Sequence, residues 1–287
     1  MCRPVFALII VCSAAALMGG TGALTVEDKS TIRHTWTFAD TAAPKEVKVD
    51  NIEGSITIAG ERVPSVELVA ERTIRAESRE KIQEAQQKVK LDLTQDGNTV
   101  EAYVDAPWRC QNGIRDRGWR YYGYRVRFDL ELKVPLEAGV FLRTINDGEI
   151  KVQSINGSFD VENINGGVEM LEIGGSGRAY ALNGPVKVVF SKNPQSECYL
   201  GSLNGAIDAF FLPGLSADVR LKNFNGSIFS DFPVNFLPGG GQTQREQRGG
   251  KFVYKTNDFF GVRVGNGGPE IKFDSFNGNI CIHEKKQ

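Results

Sequence analysis

Two consecutive stretches of the chain decide its fold: Ile155-Asn156-Gly157-Ser158-Phe159-Asp160-Val161 and Ile164-Asn165-Gly166-Gly167-Val168-Glu169-Met170. Each stretch has a large apolar residue, then Asn and Gly, then alternating polar and apolar residues. Asn-Gly favours a tight turn because both residues accept positive φ. The alternation places the apolar side chains on one face of a strand. The sequence therefore predicts a tight turn followed by a short strand as the basic unit.

The same unit recurs along most of the chain. Further copies begin at Leu182, Leu203, Phe224 and Phe276, and looser copies span residues 52–54 and 145–148. Glycines 148, 157, 166, 175 and 184 follow one another at a constant nine-residue step, and the next two, at 205 and 226, follow at longer and equal steps. The pattern predicts structural turns at eight glycines: Gly54, Gly148, Gly157, Gly166, Gly184, Gly205, Gly226 and Gly278.

A nine-residue unit is too short to bury its apolar face alone, whereas stacked units bury a continuous core. Two such units would make one coil, and the longer steps would correspond to coils with slightly longer turns. The sequence thus predicts an all-β fold, a β-solenoid or flattened β-roll of stacked short strands. The alternative is an antiparallel meander or sandwich, because Asn-Gly also favours hairpins. Hairpins, however, require neither the apolar residue before Asn nor the constant nine-residue step.

Residues 1–23 have the composition of a secretory signal peptide. Arg3 precedes an apolar run at 5–18, and Thr21-Gly22-Ala23 is a suitable cleavage site. The run is shorter than the ~20 residues of a membrane-spanning helix, and no later stretch is long enough. We expect an exported protein, periplasmic or extracellular at the cell surface, with no transmembrane segment after cleavage.

Composition excludes several functional classes. Lys and Arg number 34 against 35 Asp and Glu, so the surface as a whole does not attract nucleic acid. His34 and His283 are the only histidines, too few for a multi-histidine metal cage. We therefore predict no catalytic residue, no metal ion, no cofactor and no nucleic-acid partner. After cleavage, Cys110, Cys198 and Cys281 allow at most one disulfide, and the sequence leaves open which pair forms it, if any.

The order of these features resembles a known family. Residues 126–135 (Val-Arg-Phe-Asp-Leu-Glu-Leu-Lys-Val-Pro), Gly139 and the repeated Asn-Gly units are similar to the candidate adhesin domain of bacterial envelope proteins. Residues 49–54 (Val-Asp-Asn-Ile-Glu-Gly) resemble the opening strand of that domain. The resemblance covers roughly residues 45–284. It implies an all-β, solenoid-like fold outside the cytoplasm, and it brings no established catalytic residues.

The chain divides into two regions that we expect to be continuous. Residues 24–138 form an N-terminal β region, and residues 139–287 form the Asn-Gly repeat. A helix is predicted over 75–89, with strands at 65–74, 90–94 and 98–104. We expect this helix to cap the exposed end of the stacked strands; binding of a partner is the alternative. The polar segment 238–250 interrupts the repeats between Gly226 and Gly278.

The segment 106–124 is the candidate binding site. It combines aromatic rings with arginines, a composition suited to stacking on sugars or to gripping an anionic polymer. Alternatively, the rings fold back over the repeats and the arginines are solvated. The candidate contact residues are Trp108, Arg109, Arg115, Arg117, Trp119, Arg120, Tyr121, Tyr122 and Tyr124.

These features predict a non-enzymatic exported protein for adhesion or cell-envelope interaction, with a surface glycan or an envelope protein as partner. The first alternative is a periplasmic structural or signalling accessory that binds another envelope protein. The second is a polysaccharide-active enzyme. It would use acids from successive units: Asp160, Glu162, Glu169 and Glu172.

Overall fold

The computed structural model describes residues 11–16, 23–40, 42–110, 113–114, 121–238, 244–248 and 251–286. Of residues 11–16, 110, 113–114, 244–248 and 251–259 it describes only the backbone. Within these ranges the chain is nearly all β. Twenty-two strands join in one large, nearly closed sheet, and two short strands pair separately. The predicted all-β class is confirmed.

The first strands and the helix are β1 (Val11–Ala16), β2 (Val26–Thr37), β3 (Glu46–Asp50), β4 (Ile56–Glu61), β5 (Ser65–Ala76), α1 (Arg79–Lys88), β6 (Lys90–Asp96), β7 (Thr99–Asp105), β8 (Arg109–Cys110), β9 (Gly113–Ile114), β10 (Tyr124–Pro135), β11 (Gly139–Thr144) and β12 (Ile150–Gln153). They are followed by β13 (Phe159–Asn165), β14 (Val168–Ile173), β15 (Gly177–Asn183), β16 (Val186–Phe190), β17 (Cys198–Asn204), β18 (Ile207–Phe211), β19 (Ala217–Ser230), β20 (Val234–Phe236), β21 (Gln244–Arg248), β22 (Lys251–Val264), β23 (Glu270–Asn277) and β24 (Ile280–Glu284).

The strands of the Asn-Gly repeat pair in parallel, in two rows. One row has the order β7-β3-β11-β13-β15-β17-β23-β19. The other has the order β10-β4-β12-β14-β16-β18-β24, followed by the end of β19. Successive strands along the chain therefore alternate between the rows. Val168 pairs with Val186 and Val186 with Ile207, and each strand from β11 to β16 lies beside the second strand after it.

The last two strands enter the rows out of chain order. β23 lies between β17 and β19, and β24 lies between β18 and β19. Between β19 and β23 the chain forms β20, β21 and β22. β22 pairs antiparallel with β19, β20 and β21. This return of the chain accounts for the long interval between Gly226 and Gly278, which the polar segment alone does not explain.

Antiparallel strands extend the N-terminal end of the second row. β10 pairs with β5, β5 with β2, and β2 with β1. The helix α1 packs against β2, β5 and β10 and buries Ile82 and Ala85. It begins later than predicted, because Arg75 belongs to β5 and the Ser78 hydroxyl caps the helix by accepting from the Lys81 amide at 3.3 Å. Among the described residues, no helix is long and apolar enough to cross a membrane.

The inward residues of each strand are the apolar residues expected from the alternation. They lie two and four positions after a turn glycine, and each is at most 3% exposed: Ile56, Ile58, Ile150, Val152, Phe159, Val161, Val168, Met170, Val186, Val188, Ile280 and Ile282. Side chains from both rows belong to one core. Full burial of such a side chain stabilises the fold by about 1.5–3 kcal/mol relative to exposure.

The turn glycines stack directly on one another. A Cβ on Gly166 would overlap the carbonyl oxygen of Gly148, and one on Gly184 would overlap that of Gly166. The same holds for Gly205 on Gly184, Gly278 on Gly205 and Gly226 on Gly278. Gly148, Gly157, Gly166, Gly184 and Gly205 do not have the positive φ expected from the sequence, and the turn predicted at Gly226 falls inside β19. Glycine is required at the first five positions because the neighbouring backbone leaves no room for a side chain.

The asparagines before these glycines form a ladder on the surface. Each side-chain nitrogen donates to the side-chain oxygen of the neighbouring asparagine at 2.7–2.9 Å. The ladder runs through Asn146, Asn165, Asn183, Asn204, Asn277 and Asn225. Each bond contributes about 1 kcal/mol to the stability of the fold. Because each bond joins asparagines at equivalent positions of neighbouring turns, the ladder fixes the register of the stacked turns.

A second polar ladder lies inside the same turns. Asn163 donates to the carbonyls of Gly148 and Gly167 at 2.9 Å, and the Ser202 hydroxyl donates to the Gly184 carbonyl at 2.9 Å. These side chains sit three residues before a turn glycine and are buried. They satisfy carbonyl groups that the close stacking removes from water.

We predict that Gly166→Ala lowers the free energy of unfolding by about 3 kcal/mol, because the new methyl group would overlap the Gly148 carbonyl. The adjacent Gly167→Ala is the matched control, since its Cβ would lie 3.3 Å from the Pro185 carbonyl oxygen and needs only a small shift. Urea denaturation measures both. Equal losses for the two variants would contradict the stacking of Gly166 on Gly148.

Candidate functional site

Arg109 fixes one end of the aromatic–arginine segment to the fold. Its side chain is 3% exposed and forms an ion pair with Asp50 of β3. Its Nη1 donates to the Val104 carbonyl at 2.5 Å, and the guanidinium lies 4.0 Å from the centroid of the Tyr103 ring. The structure therefore turns Arg109 inward, where it holds the segment against β3 and β7.

Three of the predicted rings pack together on the protein itself. The ring centroids of Trp108 and Tyr122 are 4.7 Å apart, and Tyr124 lies 6.1 Å from Trp108 and 5.9 Å from Tyr122. The cluster packs against the hydrophobic core. Burial raises the pKa of Tyr124 to about 12. These three rings therefore take the arrangement in which the aromatics fold back over the strands.

Tyr121 is the described member of the segment that faces solvent. It is 62% exposed, and its hydroxyl is hydrogen-bonded to Glu77, next to the start of α1. The other predicted contact residues lie outside the described residues: Arg115, Arg117, Trp119 and Arg120. For these four the sequence prediction stands as a prediction.

A groove of about 860 Å³ begins where this segment returns to the sheet. Tyr124, which ends the segment, is the first residue of β10, and the next outward residues of β10 are Arg125 and Arg127. Both line the groove with residues of β2 and β5. Arg75 of β5 lies directly opposite Arg125 across the antiparallel pair. Sequence reasoning missed this groove, because its residues come from strands far apart in the chain.

The charges of the groove are held in place by ion pairs. Arg125 binds Glu53 at 2.9 Å and also binds Asp147, and Arg127 binds Asp129 at 2.7 Å. Burial raises the pKa of Glu53 although Arg125 favours its charged form. Burial favours a higher pKa for Asp129. The hydrogen bonds that Asp129 accepts from Arg127 and Ser55 outweigh burial, so its pKa lies below the usual value.

The arginines of the groove are suited to binding acidic groups. Arginine presents planar donors that match carboxylate, sulfate or phosphate groups. No aromatic side chain is among its lining residues in the described part of the chain. The exposed ring of Tyr121 lies three residues before Tyr124 in the chain and is not among the residues that line the groove.

The acids considered for an enzyme are divided between the two rows of strands. Asp160 and Glu162 lie on β13 in one row and share Arg178, at 3.3 and 3.4 Å. Glu169 lies on β14 in the other row and pairs with Lys187 at 2.9 Å. Glu172 pairs with Lys285 at 2.8 Å. Each of the four acids thus has a basic partner, which is typical of a solvated strand face.

Comparison with known proteins gives only remote likeness. No protein-family model and no curated protein matches the chain. A candidate cell adhesion protein from Clostridium sporogenes is 11% identical, with a TM-score of 0.35, over 88% of this chain and 99% of that chain. A candidate adhesin from Bacteroides fragilis is 10% identical, with a TM-score of 0.28, over 89% and 97%. A candidate lipid binding protein from Parabacteroides distasonis is 10% identical, with a TM-score of 0.27, over 88% and 96%. At such scores the likeness carries no argument about function.

We predict that Arg109→Ala lowers the free energy of unfolding by about 3 kcal/mol, because it leaves Asp50 without its buried partner. Lys187→Ala serves as the control, since it removes only an exposed ion pair worth at most about 1 kcal/mol. Thermal melts of both variants provide the test. A melt of Arg109→Ala as stable as that of Lys187→Ala would show that Arg109 does not anchor the segment.

Proposed function

We propose that this protein is a non-enzymatic interaction module, exported to the periplasm or the cell surface, that binds an acidic polymer or glycan of the envelope. The observation that carries the proposal is the junction along the chain between the segment that holds exposed Tyr121 and β10, whose outward residues Arg125 and Arg127 line the groove with Arg75. The predicted contact residues Arg115, Arg117, Trp119 and Arg120 belong to the segment that ends at this junction.

The scaffold in this proposal is a β-solenoid capped by α1. Parallel pairing in two rows, in which each strand lies beside the second strand after it, supports this scaffold. The stacked turn glycines and the asparagine ladder also support it, because both require the same turn to recur at each coil.

The exposed guanidinium groups favour an acidic ligand, and the lining residues of the groove number five basic against four acidic. An incoming carboxylate or sulfate can compete for the guanidinium groups of Arg125 and Arg127, which are 54% and 37% exposed. Their present partners are Glu53, Asp147 and Asp129, so the binding is an exchange of anions rather than the filling of an empty pocket. Affinity should therefore be moderate and should fall as salt rises.

A second candidate is an accessory that binds another envelope protein, and a different surface favours it. The apolar residue before Asn is buried in the first copies, at Ile145 and Ile155, but it is 37–48% exposed in three copies on adjacent strands: Leu203, Phe276 and Phe224. The rings of Phe224 and Phe276 stack with centroids 4.7 Å apart and planes 3° from parallel. Exposed apolar residues in a continuous column are typical of protein interfaces.

The two candidate functions predict that different substitutions weaken binding. Trp119→Ala and Tyr121→Ala should each weaken binding to heparin, used as the acidic probe, about tenfold, which corresponds to about 1.4 kcal/mol. Phe224→Ala with Phe276→Ala is the control and should leave heparin binding unchanged. Binding is measured by calorimetry at two salt concentrations, with neutral dextran as the uncharged probe. We avoid Trp108→Ala because Trp108 packs against the core.

Undiminished heparin binding in Trp119→Ala and Tyr121→Ala, or equal binding of dextran, would contradict the proposed contact. The accessory function replaces the proposed one under two conditions. The intact protein must bind neither polymer, and it must capture an envelope protein that the Phe224→Ala, Phe276→Ala variant fails to capture.

A further inference from the structure

A mixed cluster of polar side chains lies on the outer face near the C-terminus. β18 and β24 pair so that Asp208 is opposite Cys281 and Phe210 is opposite His283. Cys281 and His283 alternate with the buried residues Ile280 and Ile282 and therefore share the outward face. One oxygen, sulfur or nitrogen atom from each of Asp208, Cys281 and His283 lies within 4.8 Å of the other two.

The spacing of these atoms is close to that of metal ligands. His283 Nε2 and Asp208 Oδ1 are 3.5 Å apart. Two ligands that are each about 2.1 Å from a tetrahedral Zn²⁺ ion are roughly 3.4 Å from one another. The Cys281 sulfur lies within 4.8 Å of both atoms, and thiolate bonds to Zn²⁺ are longer, about 2.3 Å.

His283 is also oriented as a metal ligand would be. Its other ring nitrogen, Nδ1, lies 3.3 Å from the carboxylate of Asp231. Its ring stacks on Phe210 with centroids 4.5 Å apart and an interplanar angle of 20°. A carboxylate on the second nitrogen fixes the tautomer that leaves Nε2 free to coordinate, as is usual for metal-binding histidines.

The donor set matches a particular class of ion. A thiolate and a carboxylate supply two negative charges, and a neutral imidazole completes a three-ligand set that suits Zn²⁺. Cys281 carries a thiol and is partly exposed, whereas the Cys198 thiol is buried and burial raises its pKa. A thiol near the surface loses its proton to a metal more readily than a buried one.

We propose that Asp208, Cys281 and His283 bind one Zn²⁺ ion, with solvent in the fourth position and Asp231 as a positioning residue for His283. Sequence reasoning predicted no metal site, because two histidines are too few for a multi-histidine cage. The ion would join β24 to β18, and through Asp231 it would join both to the end of β19. It would thus stabilise the position of β24, which lies between β18 and β19 out of chain order.

Cobalt binding tests the site directly. We expect the purified reduced protein to bind one equivalent of Co²⁺ with a near-ultraviolet thiolate-to-cobalt band, and Zn²⁺ to displace it. Cys281→Ser should abolish the band, and His283→Gln should weaken binding at least tenfold. Asp231→Asn should weaken it about 10- to 100-fold. Zn²⁺ should raise the melting temperature of the parent protein, since it binds the folded state.

Two variants at the other histidine and the buried thiol are the matched controls. His34→Gln and Cys198→Ala should bind Co²⁺ as the parent does. The proposal is overturned if no thiolate band forms, if the band persists in Cys281→Ser, or if His283→Gln binds as tightly as His34→Gln. It is also overturned if His283→Gln lowers the melting temperature while Zn²⁺ has no effect on the parent, because His283 would then act only as an ion-pair partner of Asp208 and Asp231.

Discussion

The close approach of successive turns at one edge of the molecule is the constraint on which the rest depends. Gly166 lies against the carbonyl of Gly148, and Gly184 lies against that of Gly166, so the backbones of neighbouring turns are in direct contact. This contact fixes the spacing and register of the strands that leave each turn. The asparagine ladder outside and the ladder of Asn163 and Ser202 inside both exist because the turns coincide.

Local pattern predicted the parts of the fold that local physics determines. The alternation of Val168 and Glu169 correctly assigned the inward and outward faces. Asn-Gly marks the ends of β13, β15, β17 and β23, whereas Gly226 lies inside β19. The inner ladder had a signal that was missed, an Asn or Ser three residues before several turn glycines. The sequence carries no signal for the order of the last strands, because residues 270–284 have the same pattern as every other copy. Only packing over the whole chain selects β17 and β19 as the neighbours of β23.

The candidate site shows the same division between local and distant information. The sequence located the aromatic segment but could not predict that Arg109 turns inward, because its partner Asp50 lies on β3, far earlier in the chain. The groove and the Asp208 cluster likewise could not be predicted from the sequence, since their residues meet only through strand pairing. In the function we propose, the stacked strands hold these distant residues at fixed positions, and the contacts occur on the outer faces.

The parallel pairing of strands two positions apart is tested most directly by an engineered disulfide. Glu169 and Lys187 are paired neighbours on β14 and β16, and adjacent strands are about 4.8 Å apart, within reach of a disulfide. In a background without Cys110, Cys198 and Cys281, we predict that Glu169→Cys with Lys187→Cys forms an intramolecular disulfide, detected by mass spectrometry. Glu169→Cys with Tyr180→Cys, which an antiparallel hairpin would bring together, should remain reduced. A disulfide in the second pair and none in the first would contradict the parallel arrangement.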